Sequence, residues 1–252
     1  MEPETSKAQL RSRIRAARAD RSLAEAAPAS SSSVATTSPQ VTPADATPTS
    51  TSPADAVAAA AWNVIREVPV RSLLAYAALP GEPDLDPALD RFLAVGGTVY
   101  LPVVTKVGEP LMFGKVTGPM AGLKPWGRWG IREPARDGTL LTAAQLLSPT
   151  VGLDLIFVPA LGFGADGARL GNGGGFYDRT FGPHGASPLD SASLGSGPLG
   201  SGPLGSGLLG SGPRVLGVCF AEELDLTGLV AEDWDLRIPA AVTEDGTHIF
   251  TA

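Results

Sequence analysis

Between Arg169 and Arg179 the chain reads Arg-Leu-Gly-Asn-Gly-Gly-Gly-Phe-Tyr-Asp-Arg. The glycines at its centre cannot propagate a helix. They let the backbone turn its N–H groups into a concave nest and approach a phosphate without Cβ obstruction. Arginines flank the nest at both ends, and Asp178 follows it, placed to hold Mg²⁺ against phosphate oxygens. Phe176 and Tyr177 supply an aromatic pair that can cover a planar ring. The segment comes after an apolar stretch, Leu155-Ile156-Phe157-Val158-Pro159, as a nucleotide loop at the carboxyl end of a buried strand should. A chain with 31 glycines carries glycine runs readily, so three in a row signify only a loop. Two arginines, two aromatics and an aspartate around them turn that loop into a nucleotide-phosphate site.

Alternating elements surround it. Ser6 with Gln9 three positions later predicts a capped helix from Lys7, with Leu10, Ile14 and Ala17 as its apolar stripe. Lys7, Arg11, Arg15 and Arg18 fall on an adjacent face. They read either as a solvated basic face or, for Lys7 and Arg11 one turn apart, as a grip on one anion. The pattern predicts helices over 54–67, Pro87–Val95 and Thr142–Leu147. Strands are predicted over Arg71–Tyr76, Thr98–Val103, Leu111–Val116, Leu155–Pro159 and Arg214–Phe220, with Ala240–Thr243 as an edge strand. Alternation of this kind gives an α/β fold, with a sheet covered on both faces. Gly162–Gly167 fits a dinucleotide G-x-G-x-x-G pattern, but no helix can start there, and Asp166-Gly167 reads as a turn. Gly108 to Lys115 has one residue too many for a phosphate-binding Walker loop, and Val116 where Ser or Thr is needed.

Residues 28–53 are almost wholly Ala, Ser, Thr and Pro, and 183–213 contain Leu-Gly-Ser-Gly repeats of five-residue period. Both read as low-complexity inserts in a single domain spanning 1–252. A net charge of −7 argues against a general nucleic-acid binder, and no apolar run is long enough for a membrane span. An N-terminus rich in arginine suggests a transit peptide, but the proline-broken tract after Ala27 weakens that reading, and with no signal-peptide core the default is a cytoplasmic protein. The single cysteine, Cys219, lies in an apolar strand. With two histidines, His184 and His248, a Cys/His zinc site and a Ser–His–Asp hydrolase are both excluded, and the chemistry must run without a histidine base.

Four ordered islands carry a resemblance. They are Lys7-Ala8-Gln9-Leu10-Arg11, Gly81-Glu82-Pro83-Asp84, Trp129-Gly130-Ile131-Arg132-Glu133-Pro134, and the stretch from Val158 through the glycine loop to Asp178. Together they resemble the 5-formyltetrahydrofolate cyclo-ligase family, whose members are also called 5,10-methenyltetrahydrofolate synthetases. The resemblance implies a three-layer α/β/α sandwich with a mostly parallel central sheet. It implies ATP-dependent closure of 5-formyltetrahydrofolate to the 5,10-methenyl cation, with ATP and the folate as small-molecule partners and Mg²⁺ as cofactor. It implies no nucleic-acid or membrane partner, and a monomer is favoured. Carried over residue by residue, Lys7, Arg11, Arg169, Leu170, Gly171, Asn172, Gly173, Gly174, Gly175, Phe176 and Tyr177 would contact ATP. Arg169 and Tyr177 would be catalytic, and Asp178 would bind Mg²⁺. Glu82 would accept hydrogen bonds from the pterin, and Trp129 would wall the folate pocket, although pattern alone makes them a surface loop acid and a core residue.

The chain departs from the family at three places. Asn172 stands where many members have Arg, Leu85 where Thr is frequent, and Pro239 where some have a second metal-associated Asp. Two other readings keep the architecture: a catalytically silent nucleotide-binding relative with a regulatory role, marked by Asn172 and Pro239, and a different transferase on a related α/β scaffold.

Overall fold

A computed structural model of the chain describes residues 6–26, 52–67, 69–136, 138–189 and 212–251. The central parts of both low-complexity inserts lie outside the described residues. The chain opens with helices α1 (Lys7–Ala26) and α2 (Pro53–Glu67), then β1 (Ser72–Leu74), α3 (Asp86–Ala94), β2 (Thr98–Val103) and β3 (Met112–Lys115). A small hairpin follows, β4 (Lys124–Trp126) with β5 (Ile131–Glu133), and then α4 (Ala143–Leu146) and β6 (Leu155–Pro159). A second small hairpin pairs β7 (Gly162–Phe163) with β8 (Arg169–Leu170) and leads to α5 (Phe176–Phe181). β9 (Arg214–Val218), β10 (Ala240–Thr243) and β11 (Gly246–Ile249) complete the chain.

Seven strands form the main sheet in the order β11-β10-β9-β6-β1-β2-β3. Pairing is parallel from β10 through β9, β6 and β1 to β2, and antiparallel at both edges. The strands are apolar on both faces because helices cover both. Within β1, Leu73 joins one core cluster and Leu74 the other; within β6, Leu155 and Phe157 face one side and Ile156 and Val158 the opposite. One layer brings Val57, Ala61 and Val64 of α2 and Leu89 and Phe92 of α3 onto the sheet. The other brings Leu146 of α4 and Tyr177 and Phe181 of α5. This is the three-layer architecture expected.

Ala240–Thr243 is not the edge. The turn at Glu244 and Asp245, followed by Gly246 at φ +111°, returns the chain as β11, whose residues alternate between half-buried and exposed. Glycine accepts that backbone conformation without Cβ strain. The alternating polar strand gave no apolar run to read.

Helix α1 packs through its own small cluster, in which Leu10 and Ile14 meet Leu161, Leu170 and Leu226. Ala17 is exposed; the third buried position of the stripe is Arg18. Its Nε donates to Glu223 Oε1 at 2.7 Å, and its Nη2 to Ala160 O at 2.8 Å. A carboxylate partner and a backbone carbonyl make this burial tolerable, and removing one partner of such a pair alone typically costs about 3–5 kcal/mol. The pair fixes α1 against the loops that leave β6 and β9. The capping box at its start is present, with Ser6 N donating to Gln9 Oε1 at 2.9 Å and Gln9 N to Ser6 Oγ at 3.3 Å.

Candidate active site

The chain runs from β1 outward in both directions, to β2 on one side and to β6 on the other, so the carboxyl ends of these strands flank a topological switch point. Open α/β sheets bind ligands there. Tyr76 and Glu82 follow β1, Val104 follows β2, and Pro159 ends β6; all four line a cavity of about 390 Å³. Pro80 and Gly81 make the turn that presents Glu82: Glu82 N donates to Leu79 O at 2.9 Å, and Gly81 has φ +81°. Glu82 is half-buried, not a free surface acid. Its Oε2 accepts from Leu79 N at 3.0 Å and its Oε1 from Asn172 Nδ2 at 2.7 Å. Burial pushes its carboxyl above the ordinary range, against the pull of Leu79 N–H, Arg18 and Asn172.

Trp129 reaches the same cavity from the tight tip of the β4–β5 hairpin, between Gly127 and Gly130, which both have positive φ. It is 37% exposed, so it is no core residue, and its ring stands edge-on to Phe176 with centroids 5.6 Å apart. No strand signal marked the hairpin, because Lys124, Pro125 and Trp126 are all exposed.

Beyond the glycine loop lies a second, polar cavity of about 300 Å³ that includes Lys7, Arg11, Asp178, Arg179 and Asp235 in its lining. The loop is the wall between the two. Arg169, Gly171 and Gly175 line both cavities. Gly173 lines the second; Asn172, Gly174, Phe176 and Tyr177 line the first. Leu170 lines neither, because its side chain is fully buried against α1. Helix α5 starts at Phe176, and Gly175, with φ +62°, is its N-cap. Asp178 therefore sits inside the first turn and is not the capping residue.

Asp178 Oδ1 accepts from Arg169 Nη2 at 2.9 Å and from Leu236 N at 3.2 Å. Burial opposes its ionisation, but the Arg169 guanidinium, the Leu236 N–H and the Lys7 charge outweigh burial and hold the carboxyl below the usual range. Both bonds fall on Oδ1, which leaves Oδ2 without a protein partner among the described residues. Lys7 Nζ donates to Asp235 Oδ2 at 2.5 Å and Glu232 Oε2 at 2.6 Å, and these bonds more than offset the effect of burial on its charge. Arg11 Nε donates to Gly171 O at 2.9 Å. Three buried donors between Arg169 and Arg179 have no partner among the described residues: Arg169 Nε, Arg179 Nε and the Tyr177 hydroxyl. Burial pushes that hydroxyl's pKa well up, so it stays protonated.

Of the basic face of α1, Lys7 and Arg11 line the second cavity, the exposed Arg15 lines the first, and Arg18 lines neither. Asp235 and His184, neither of which the sequence reading assigns to the site, also line the second cavity, 57 and six residues beyond Asp178. Among the described residues no group of three or more His, Cys, Asp or Glu could cage a metal. No described helix is long and apolar enough to cross a membrane. Cys219 is buried, as its strand implied.

Known proteins resemble this chain in sequence and in fold. Residues 3–193 match the model of the 5-formyltetrahydrofolate cyclo-ligase family. A 5-formyltetrahydrofolate cyclo-ligase of Mycolicibacterium smegmatis is 35% identical over 131 residues, covering 50% of this chain and 62% of the relative. A probable 5-formyltetrahydrofolate cyclo-ligase of Caenorhabditis elegans is 32% identical over 115 residues, 45% of this chain and 54% of its own. The chain thus spans less than two thirds of these two relatives, whereas the Escherichia coli K12 cyclo-ligase, 27% identical over 177 residues, is covered to 79%. In fold the chain is similar to the solution structure of Aquifex aeolicus 5,10-methenyltetrahydrofolate synthetase, with a TM-score of 0.60 at 20% identity, covering 98% of this chain and 93% of that one. A glycine loop that walls two cavities at the switch point of this sheet, inside a family match over three quarters of the sequence, leaves one assignment: the chain belongs to the 5-formyltetrahydrofolate cyclo-ligase family.

Proposed function

We propose that the protein closes 5-formyltetrahydrofolate to 5,10-methenyltetrahydrofolate at the expense of ATP, with the folate in the first cavity and the triphosphate in the second. The observation that carries this reading is Arg169, which lines both cavities and has a buried Nε without a protein partner, beside the similarly unpartnered Tyr177 hydroxyl. A guanidinium that lines both cavities is placed to meet charge that passes from one substrate to the other.

The formyl group of an amide is a poor electrophile and its oxygen a poor leaving group. In the reading proposed, that oxygen attacks the γ-phosphorus of ATP and ADP leaves. N10 then attacks the activated carbon, loses its proton, and inorganic phosphate departs carrying the former formyl oxygen. Little covalent chemistry is left for the protein, and catalysis rests on positioning and charge. Glu82 would accept from the pterin's amino and ring N–H groups, and Trp129 with Phe176 would hold the flat rings. Arg169 and Tyr177 would stabilise the oxygen under attack, in keeping with their place in the shared wall. Arg11 and the N–H groups of Gly171, Gly173 and Gly175 would receive phosphate oxygens. Lys7 has a third N–H beyond its two carboxylate bonds for the same purpose.

Mg²⁺ fits the residues present. It binds through one or two carboxylates plus phosphate oxygens rather than in an all-protein cage, and Asp178 offers its unpartnered Oδ2 while Asp235 lines the same cavity. When bound, the ion would neutralise charge on the phosphates and orient them. No histidine or cysteine is required, although His184 lies at the rim of this cavity.

The reading is tested by mixing protein, 5-formyltetrahydrofolate and Mg-ATP and following the near-UV absorbance of the methenyl product. Growth that requires all three is expected. Saturable ATP binding without any growth would instead make this a nucleotide-binding relative without turnover.

A further inference from the structure

The peptide groups of the glycine loop are held by arginines from outside it. Arg11 Nε donates to Gly171 O at 2.9 Å, Arg15 Nη2 to Asn172 O at 2.8 Å, and Arg179 Nη2 to Gly174 O. Arg15 does more than grip a carbonyl. The same nitrogen lies 3.3 Å from Asn172 Oδ1. An amide whose oxygen faces a guanidinium presents its NH₂ on the other side. In this protein that NH₂ donates to Glu82 Oε1 at 2.7 Å. Arg15 and Asn172 line the first cavity together with Glu82, and neither lines the second.

We propose that Arg15 and Asn172 are positioning residues that act in series on Glu82, so that a residue of the phosphate-loop motif serves the folate side of the reaction. The proposal rests on the folate reading given above. With Leu79 N on Oε2 and Asn172 Nδ2 on Oε1, the carboxylate is held at both oxygens, and its remaining lone pairs form a fork for two parallel N–H donors. Burial resists the charge on Glu82, and its neighbours are mixed: Arg18 favours ionisation while Glu223 opposes it. The amide bond therefore both orients the acid and helps keep it ionised. Arg15, exposed and paired with no carboxylate among the described residues, fixes which way the amide faces. The relay also ties α1 to the folate acid through the loop.

The test is equilibrium binding of 5-formyltetrahydrofolate, by calorimetry without ATP, to wild type, Arg15→Ala, Asn172→Ala, the double variant and Arg15→Lys. Apparent ATP constants for the same proteins come from steady-state rates. Each single alanine variant is expected to weaken folate binding by about tenfold, the scale of one hydrogen bond to a charged group. The double variant should be little worse than the weaker single, because the two act through one chain of contacts. Arg15→Lys should recover part of the loss, and the ATP constants should move less than the folate constants, a split that general destabilisation would not produce. Singles that bind folate like wild type, singles whose losses multiply, or a loss confined to ATP would each overturn the relay while leaving the folate reading in place. A wild type that binds no folate overturns both.

Discussion

The two cavities share a wall but are built by different means. The first lies where β1, β2 and β6 end; Pro102, Val104, Leu111 and Ile131 are among its apolar lining, and Glu82 is its one acid among the described residues. The second is assembled by α1, the turn of α5 and the segment around Asp235, and its lining is largely charged. The first is held by the packing of the sheet. The second is held by ion pairs between distant segments, such as Lys7 with Glu232 and Asp235. In the reading proposed, recognition in the first would rest on shape and a few directed hydrogen bonds, and in the second on charge. Substitutions should divide accordingly.

The largest separation is expected from Asp178→Asn. Asn keeps the size and an accepting oxygen but removes the charge that a hard cation prefers. Turnover should fall by about two or more powers of ten, the scale for losing a key electrostatic contact in a transition state. Added Mg²⁺ should recover part of it, and folate binding to the first cavity should persist. Stability carries its own signature. The Asp178 carboxyl is held low in the folded protein, so its contribution is present above the ordinary carboxylate pKa of about 4 and is lost as pH falls through its depressed value. The stability gap between wild type and Asp178→Asn should therefore narrow in acid. A variant with normal turnover and Mg²⁺ response would remove Asp178 from the site.

A smaller effect distinguishes the two sides of the loop directly. Lys7→Ala or Arg11→Ala should raise the apparent ATP constant by about tenfold and leave the folate constant within about twofold, as expected for one charge-assisted contact. Trp129→Ala should do the reverse, since its partly exposed ring faces only the first cavity. Steady-state constants for both substrates check this. Equal changes in both constants for all three variants would mean that the loop is not a partition.

Much of this was legible before the fold was known. Glycines after an apolar strand predict an irregular loop beyond β6, and Ser6 with Gln9 predicts where α1 begins, because both depend on neighbours close in sequence. What the loop divides was not legible. Successive residues of an irregular turn can face opposite ways, so Gly173 lines one cavity and Asn172 the other, while Leu170 points into the core. Arg18 looked like the outer edge of a basic face because its acid, Glu223, lies 205 residues away. Asp235 and His184 reach the site only through tertiary packing. The hairpin that presents Trp129 is two strands of three residues, one wholly exposed, and leaves no alternation to detect. The motif marks the loop in the sequence; that the loop stands between two cavities needed the folded chain.

Oxygen transfer across the loop is the central claim, and isotope labelling reports on it most directly. 5-Formyltetrahydrofolate carrying ¹⁸O in its formyl group is turned over with Mg-ATP in ordinary water, and the inorganic phosphate released is examined by mass spectrometry. One ¹⁸O atom per phosphate formed is expected, because the formyl oxygen attacks the γ-phosphorus and leaves with it. Unlabelled phosphate, with the ¹⁸O appearing in water, would mean that ATP is hydrolysed apart from ring closure, and would contradict phosphoryl transfer across the loop.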